Sequence, residues 1–247
     1  MVNVNEMKWS FSRLNAFYTC KYAWYLTYVE KKQGLDNAFT QYGKFMHKLL
    51  EEYAKGETLI EDLPDKWMRN YKKEVPLKFP KSKFCNMDVL YYSRGKNYLD
   101  EFEGFGEVQI ISSEEKYPFE FNGYNSTAII DLIVTNEDGE IEIIDHKSKS
   151  KFKSKRELRE YLRQLYFYCI PIKELFDEYP KIMTFNLFQK QEMVSTYFNI
   201  DTLHETEQWV LKTIDLISKE KDWEGCYNQF FCEVLCGHRK TCMYNEF

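Results

Sequence analysis

The sequence lacks any apolar run close to the roughly 20 residues that a membrane-spanning helix needs. The segment "MVNVNEMKWSFSRL" also lacks the apolar centre of a secretory signal peptide. Glycine and proline are scarce, with 10 and 6 residues among 247, and no repeat or low-complexity tract interrupts the chain. We therefore expect a globular, cytoplasmic protein with no membrane partner.

An excess of positive charge is also missing, because the formal net charge is −5. Such a balance is not the general basic surface of a nucleic-acid-binding protein, so any contact with nucleic acid must rely on a local patch. A length of 247 residues allows one large domain or two small ones. No linker is evident, and we expect a single domain over residues 1–247 with a cysteine-bearing element at 226–247.

Hydrophobic periodicity predicts an α/β protein in which a mixed sheet is flanked by helices. Two turn signals, Asn122-Gly123 and "NEDG", separate three consecutive strands. Pro171 is expected to kink the following helix or to end it early. The predicted helices cover 10–30, 43–53, parts of 61–104, 155–176 and 201–221, and the predicted strands lie within 107–121, 124–135, 140–147, 181–189 and 193–200.

Two acids lie in or at the end of apolar strands. Asp131 interrupts "STAIIDLIV", and Asp145 ends the run "IEIID" two residues before Lys147, on the same side of the strand. A hairpin centred on Asp138 would place Asp131 nearly opposite Asp145. Two such carboxylates repel each other unless a cation such as Mg²⁺ or Mn²⁺ binds between them. The alternative is a salt bridge at the surface.

Four further side chains are candidates for the same site. His47 lies in the predicted helix "YGKFMHKLLEEY", where a single histidine is more often a packing residue; beside carboxylates it would favour Mn²⁺. Gln164 and Tyr168 lie one turn apart on the next helix and could bind a phosphate or a water, or form its surface. Lys147 is placed to stabilise a charged transition state or to orient an attacking water.

Lysines alternate after the strand that carries Asp145. Lys149, Lys151 and Lys153 lie in "KSKSKFKSKR". The run is either a solvated loop or a patch that follows the phosphates of a nucleic acid.

Cysteines are concentrated near the end of the chain. Cys232, Cys236 and Cys242 form the pattern Cys-x3-Cys-x5-Cys, and Cys20 is the candidate for a fourth ligand. Four thiolates suit either an iron–sulfur cluster or structural Zn²⁺. The other candidates rank lower: Cys226 and His238 as substitute ligands, and Cys85 and Cys169 as small buried groups.

Six segments, in order, resemble the RecB-like nucleases of the PD-(D/E)XK superfamily, including CRISPR-associated iron–sulfur exonucleases and AddB-type nuclease domains. They are "SFSRLNAFYTC", "GKFMH", "IIDLIV", "IIDHK", "QLYFY" and the terminal cysteine triplet. The resemblance implies metal ions on His47, Asp131 and Asp145, a catalytic Lys147, and assistance from Gln164 and Tyr168. It also implies a [4Fe-4S] cluster on Cys20, Cys232, Cys236 and Cys242, and an acid from the first strand, either Glu114 or Glu115.

The activity implied by the resemblance is metal-dependent cleavage of DNA, as an exonuclease on single strands or duplex ends. A CRISPR-adaptation protein or a helicase is the implied partner. The alternatives are a catalytically idle DNA-binding or inhibitory relative from a phage or mobile element, and a zinc-stabilised structural protein. Two positions depart from the family pattern: Ala128 replaces a common glycine, and the first cysteine gap has three residues where two are usual.

Overall fold

A computed structural model describes residues 2–245 of the chain. No helix among these described residues is long and apolar enough to cross a membrane. The helices are α1 Phe11–Thr19, α2 Lys21–Tyr28, α3 Ala38–Ala54, α4 Leu63–Glu74, α5 Met87–Asp100, α6 Lys155–Phe176 and α7 Ile200–Lys219. The strands are β1 Gln109–Phe121, β2 Tyr124–Thr135, β3 Ile141–Lys147, β4 Ile182–Leu187 and β5 Glu192–Tyr197. Short helical turns cover Val4–Glu6, Ile60–Asp62 and Phe231–Leu235.

The five strands form one mixed sheet in the order β1-β2-β3-β4-β5. β3 runs antiparallel to β2 and parallel to β4, and β5 runs antiparallel to β4. A parallel pair needs a long crossover, and α6 lies in the chain between β3 and β4. The predicted mixed α/β architecture is therefore confirmed.

The chain divides into two compact units. The first comprises Met1–Asn37, Pro118–Ala128 and Asp201–Phe247, as far as these residues are described. The second comprises Ala38–Tyr117 and Ile129–Ile200. The single domain expected over the whole chain stays a prediction.

The second unit has an aromatic core beneath α3. Tyr42 and Phe45 of α3 pack against Trp67 of α4, with ring centroids 5.6 and 5.0 Å apart. Gly95 of α5 is required at its position, because a Cβ there would lie 2.2 Å from the Trp67 ring. This packing fixes the orientation of α3 within the unit.

Three helices depart from the prediction in one respect each. The single helix expected over 10–30 is wrong, because Cys20 adopts an extended conformation, and its backbone N–H bonds to Ala16 while its thiol caps α2. α3 begins at Ala38, five residues before the predicted start. α6 continues through Pro171 to Phe176, so the proline does not end it early.

Candidate metal site and catalytic centre

Two strands bring the acids together. The β2–β3 register pairs Leu132 with Ile144, so Asp131 and Asp145 lie one step further along the same ladder, as the predicted hairpin requires. Both side chains are buried, and Asp145 is fully inaccessible. The N–H of His146 donates to Asp131 Oδ2 at 2.7 Å.

Because side chains alternate along β3, the His146 ring lies on the opposite face of the strand from Asp145 and Lys147. That ring is buried, stacks on Phe105 at 5.6 Å and accepts a hydrogen bond at Nδ1 from Asn186 Nδ2 at 3.1 Å. Burial lowers the pKa of His146 well below its usual value, and the charge of His47 lowers it further. The ring is therefore a neutral packing element, while Asp145 and Lys147 share the opposite face of β3.

His47 reaches the acids from α3. Its Nε2 donates to the carbonyl oxygen of His146 at 3.1 Å. Its Nδ1 lies 2.8 Å from Glu114 Oε1 and 3.6 Å from Asp131 Oδ2. With Nε2 committed as a donor, a neutral ring would turn the Nδ1 lone pair towards two carboxylate oxygens.

Glu114 enters the site through an irregularity in β1. Its φ is +52°, in the left-handed region that a residue with a side chain seldom adopts. The alternation of buried positions in β1 changes phase nearby, from Ile110 and Ser112 to Ser113, which indicates a β-bulge. The neighbouring Glu115 is exposed. The structure therefore brings Glu114 to His47, a choice that the sequence left open.

The donor set at this point fits a divalent cation. Ligand atoms of His47, Glu114 and Asp131 all lie within 4.8 Å of one another. Asp145 Oδ1 is buried without a hydrogen-bond partner among the described residues. Nitrogen and carboxylate oxygen donors suit Mn²⁺ or Mg²⁺, and a cation would relieve both the lone-pair repulsion at Nδ1 and the unpaired carboxylate.

Without a cation, protons would have to neutralise the cluster. Burial alone would lower the pKa of His47, but the charges of Asp131 and Glu114 outweigh it and raise that pKa to about 9. Burial and the charge of Asp145 raise the pKa of Asp131 to about 7. These two groups therefore hold protons near neutral pH that a bound cation must displace.

A hydrogen-bonded chain extends from the acids to α6. Lys147 Nζ lies 2.5 Å from Asp145 Oδ2 and donates to Gln164 Oε1 at 2.9 Å. Gln164 Nε2 in turn donates to the Tyr168 hydroxyl at 2.6 Å. Burial lowers the pKa of Lys147, but the charges of Asp145 and Asp131 outweigh it and leave the pKa raised. Lys147 is therefore an ammonium ion at neutral pH.

The lysine run divides into two kinds of residue. Lys149 donates to Glu157 Oε1 at 2.7 Å and lies over the Tyr161 ring at 4.7 Å. Lys151 and Lys153 have exposed side chains. Sequence alternation alone could not reveal that Glu157, at the start of α6, binds the first of the three.

The first unit gathers the thiols. The Sγ atoms of Cys226 and Cys232 are 3.9 Å apart. Burial raises the pKa of Cys20, and the neighbouring Cys226 thiol contributes. Burial also raises the pKa of Cys236, with contributions from the nearby Cys20 and Cys242 thiols. Five cysteines thus lie in one neighbourhood, and Cys226 is among them.

Of the remaining candidates, His238 touches this group through its backbone N–H, which donates to Cys236 Sγ at 3.4 Å. His238 Nε2 donates to Thr27 Oγ1 at 2.8 Å, since that hydroxyl itself donates to a carbonyl. Cys169 is buried, as expected. Cys85 is exposed, so the expectation of a buried thiol there is wrong, because it lies in the irregular segment between α4 and α5.

Comparison with known proteins gives one family. No curated protein matches the chain. Among solved structures, the crystal structure of SSO0001 has 16% sequence identity and a TM-score of 0.36, covering 83% of this chain and 97% of that chain. The profile of the PD-(D/E)XK nuclease superfamily matches residues 8–243, nearly the whole chain. The chain therefore belongs to the PD-(D/E)XK nuclease superfamily, whose members are metal-dependent nucleases.

Proposed function

We propose that this protein is a metal-dependent deoxyribonuclease with its catalytic centre in the second unit. The observation that carries the proposal is the position of His47 Nδ1, which faces Glu114 and Asp131 while Nε2 is held by a backbone carbonyl. A packing histidine would not be directed at two acids beside a third that has one oxygen without a hydrogen-bond partner among the described residues. A catalytically idle protein would not need this concentration of buried charge.

The metal ligands in this proposal are His47, Asp131, Asp145 and the added Glu114. When bound, a divalent cation supplies Lewis-acid stabilisation to a phosphodiester and lowers the pKa of water. The buried position of Asp131 and Asp145 excludes solvent from one side of the site, which strengthens electrostatic interactions there. Mn²⁺ suits the imidazole better than Mg²⁺ does.

Lys147 acts as an electrostatic stabiliser rather than as a base. Its ammonium group has three N–H donors, and Asp145 and Gln164 occupy two of them. The third is left for a phosphate oxygen, where it would stabilise the charge that develops during cleavage. Gln164 positions Lys147. Tyr168 accepts from Gln164, so its own hydroxyl proton is left to donate.

The finer features rest on the family resemblance of the sequence segments. We infer a RecB-like enzyme related to CRISPR-associated or AddB-type nucleases, with exonuclease activity on single strands or DNA ends. A CRISPR-adaptation protein or a helicase remains the proposed partner, and a cytoplasmic location remains a prediction. Lys151 and Lys153 are the exposed members of the lysine run and the better candidates for phosphate contacts; Lys149 would first have to leave Glu157.

The thiols of the first unit, including that of Cys20, are proposed to hold a structural metal centre. We favour a [4Fe-4S] cluster on Cys20, Cys232, Cys236 and Cys242 because of the resemblance, with Zn²⁺ as the alternative. The close approach of Cys226 to Cys20 and Cys232 makes it the substitute for Cys242. Such a centre would link residues far apart in sequence and restrict the unfolded chain, as a crosslink does.

Removal of the central charges should abolish cleavage. We expect Asp145→Asn and Lys147→Met to lower the Mn²⁺-dependent rate on labelled DNA by at least about 100-fold, because each removes a charge that acts in the transition state. Glu114→Gln should also impair cleavage, whereas the matched neighbour Glu115→Gln should not. Equal activity of Glu114→Gln and Glu115→Gln would remove Glu114 from the centre.

Metal binding should release protons. The pKa values of Asp131 and His47, about 7 and about 9, mean that protons compete with the cation at lower pH. We expect Mn²⁺ affinity to rise with pH through 7 and to continue rising towards 9. Calorimetry in buffers of different ionisation enthalpy measures the proton release. His47→Gln should remove the part of this release that occurs above pH 7, towards the His47 pKa of about 9. An affinity that is constant from pH 6 to 9 would contradict this ligand set.

Loss of Cys20 should remove the metal of the first unit. Anaerobically purified protein is expected to be brown, with iron and sulfide in matching amounts, and Cys20→Ser should lose both and melt at a lower temperature. Cys85→Ser is the control and should change neither. Loss of iron in only one of Cys226→Ser and Cys242→Ser identifies the fourth ligand. A colourless protein with stoichiometric zinc would overturn the cluster, and a fully loaded Cys20→Ser would overturn the role of Cys20.

A further inference from the structure

A groove lies beside the catalytic helix α3 in the second unit. It has a volume of about 700 Å³ and is formed by α4, α5 and the segment 75–79 that follows α4. Its walls are aromatic and apolar, and Met68, Leu77 and Val89 are exposed by 44, 39 and 58%. Apolar surface left open in this way is typical of a binding site.

One polar group in this groove lacks a partner. The Tyr71 hydroxyl is buried and has no hydrogen-bond partner among the described residues. Its ring meets the Tyr92 ring edge-on, with centroids 5.0 Å apart, and both line the groove. A buried hydroxyl without a partner is unfavourable, so a small movement of the Tyr71 ring towards a polar ligand in the groove would be favoured by the hydrogen bond it gains.

Positive charge surrounds the groove and continues along the adjoining loop. Lys72 and Lys78 line it, and Lys78 is 4.0 Å from its nearest acid, Asp88. The loop "KFPKSKF" that follows carries Lys81, Lys83 and a 97% exposed Phe84, and it contains no acid. In a chain of net charge −5, lysines interleaved with aromatic rings form a local surface suited to phosphates and bases.

One wall of the groove is hydrogen-bonded to the helix that carries His47. The N–H of Leu77 donates to Gln41 Oε1 of α3 at 3.1 Å. Gln41 precedes the metal-ligand candidate His47 by six residues, a rise of about 9 Å along a helix. A strand that runs from the centre along α3 towards its N-terminus would pass segment 75–79, which borders the groove.

We propose that the α4–α5 groove and its lysine loop bind single-stranded DNA next to the catalytic centre, an inference that rests on the proposed nuclease function. A base stacks on the aromatic wall and bonds to the Tyr71 hydroxyl. Lys72 and Lys78 bind its flanking phosphates, and Phe84 stacks on a further base. A duplex keeps its bases paired and stacked, so it cannot use the aromatic wall.

Binding assays on an inactive protein test the groove directly. In the Asp145→Asn background, fluorescence anisotropy with labelled oligothymidylate and with a blunt duplex is measured at several salt concentrations. Lys72→Ala/Lys78→Ala should weaken single-strand binding roughly tenfold and flatten the salt slope by about 1.4, at about 0.7 per lost phosphate contact. Phe84→Ala and Tyr71→Phe should weaken it with the slope unchanged.

The matched control removes the same charge elsewhere in the unit. Lys173→Ala/Lys181→Ala deletes two lysines that pair with Asp177 and Glu140, and single-strand binding should stay at the parent value. Unchanged melting temperatures show that the variants fold. Single-strand binding that is unchanged in all three groove variants, or an equal loss of duplex binding, overturns the proposal, and an apolar protein segment would then be the better occupant.

Cleavage separates this proposal from the nuclease function. With Asp145 restored, Lys72→Ala/Lys78→Ala should cut a dinucleotide, which is too short to occupy the centre and the groove together, at the parental rate and a long single strand less efficiently at low concentration. If the parent protein cuts DNA and the groove variants cut long strands with the same kinetics, the groove proposal is wrong and the nuclease function stands. A parent protein that binds single strands through the groove but cuts no DNA with Mn²⁺ overturns the nuclease function alone.

Discussion

The backbone of His146 is the constraint on which the candidate metal site depends. Its N–H holds Asp131 and its carbonyl oxygen holds His47 Nε2. One residue of a buried strand thus fixes a carboxylate and an imidazole, which belong to a strand and a helix far apart in sequence. Because the parallel pairing with β4 continues to Lys147, β3 cannot move at this point without breaking the sheet.

The centre is electrostatically unfavourable as it stands. Asp145 is fully buried, with one oxygen on Lys147 and the other without a partner in the described part of the chain. Glu114 occupies a left-handed backbone conformation that costs on the order of 1 kcal/mol or more. Such features are usual where function, rather than stability, selects the arrangement, because strain and unpaired charge at a site are relieved when its ligand binds.

Local pattern was enough to predict the sheet and the acid pair. Alternation and turn residues located β2 and β3, and the symmetry of the hairpin about Asp138 placed Asp131 opposite Asp145. The order of motifs added His47, Lys147, Gln164 and Tyr168, which the structure places in one unit.

Other features depend on long-range geometry that no local pattern carries. The bulge that selects Glu114 over Glu115 leaves the alternation of β1 ambiguous, and the roles of His146 lie in its backbone. The ion pair between Lys149 and Glu157 forms across a loop. The break at Cys20 falls in an otherwise helical sequence, where an extended residue that caps the next helix has no distinctive signature.

The central claim is that His47 Nδ1 and the acids around it are metal ligands. Anomalous diffraction from crystals of the protein soaked in Mn²⁺, recorded above and below the manganese edge, tests it most directly. We expect one strong manganese peak in contact with His47 Nδ1, Glu114 and Asp131, with the direct bond between His47 and Glu114 replaced by bonds to the metal. A saturated crystal with that bond intact, and manganese bound elsewhere or not at all, would contradict the claim.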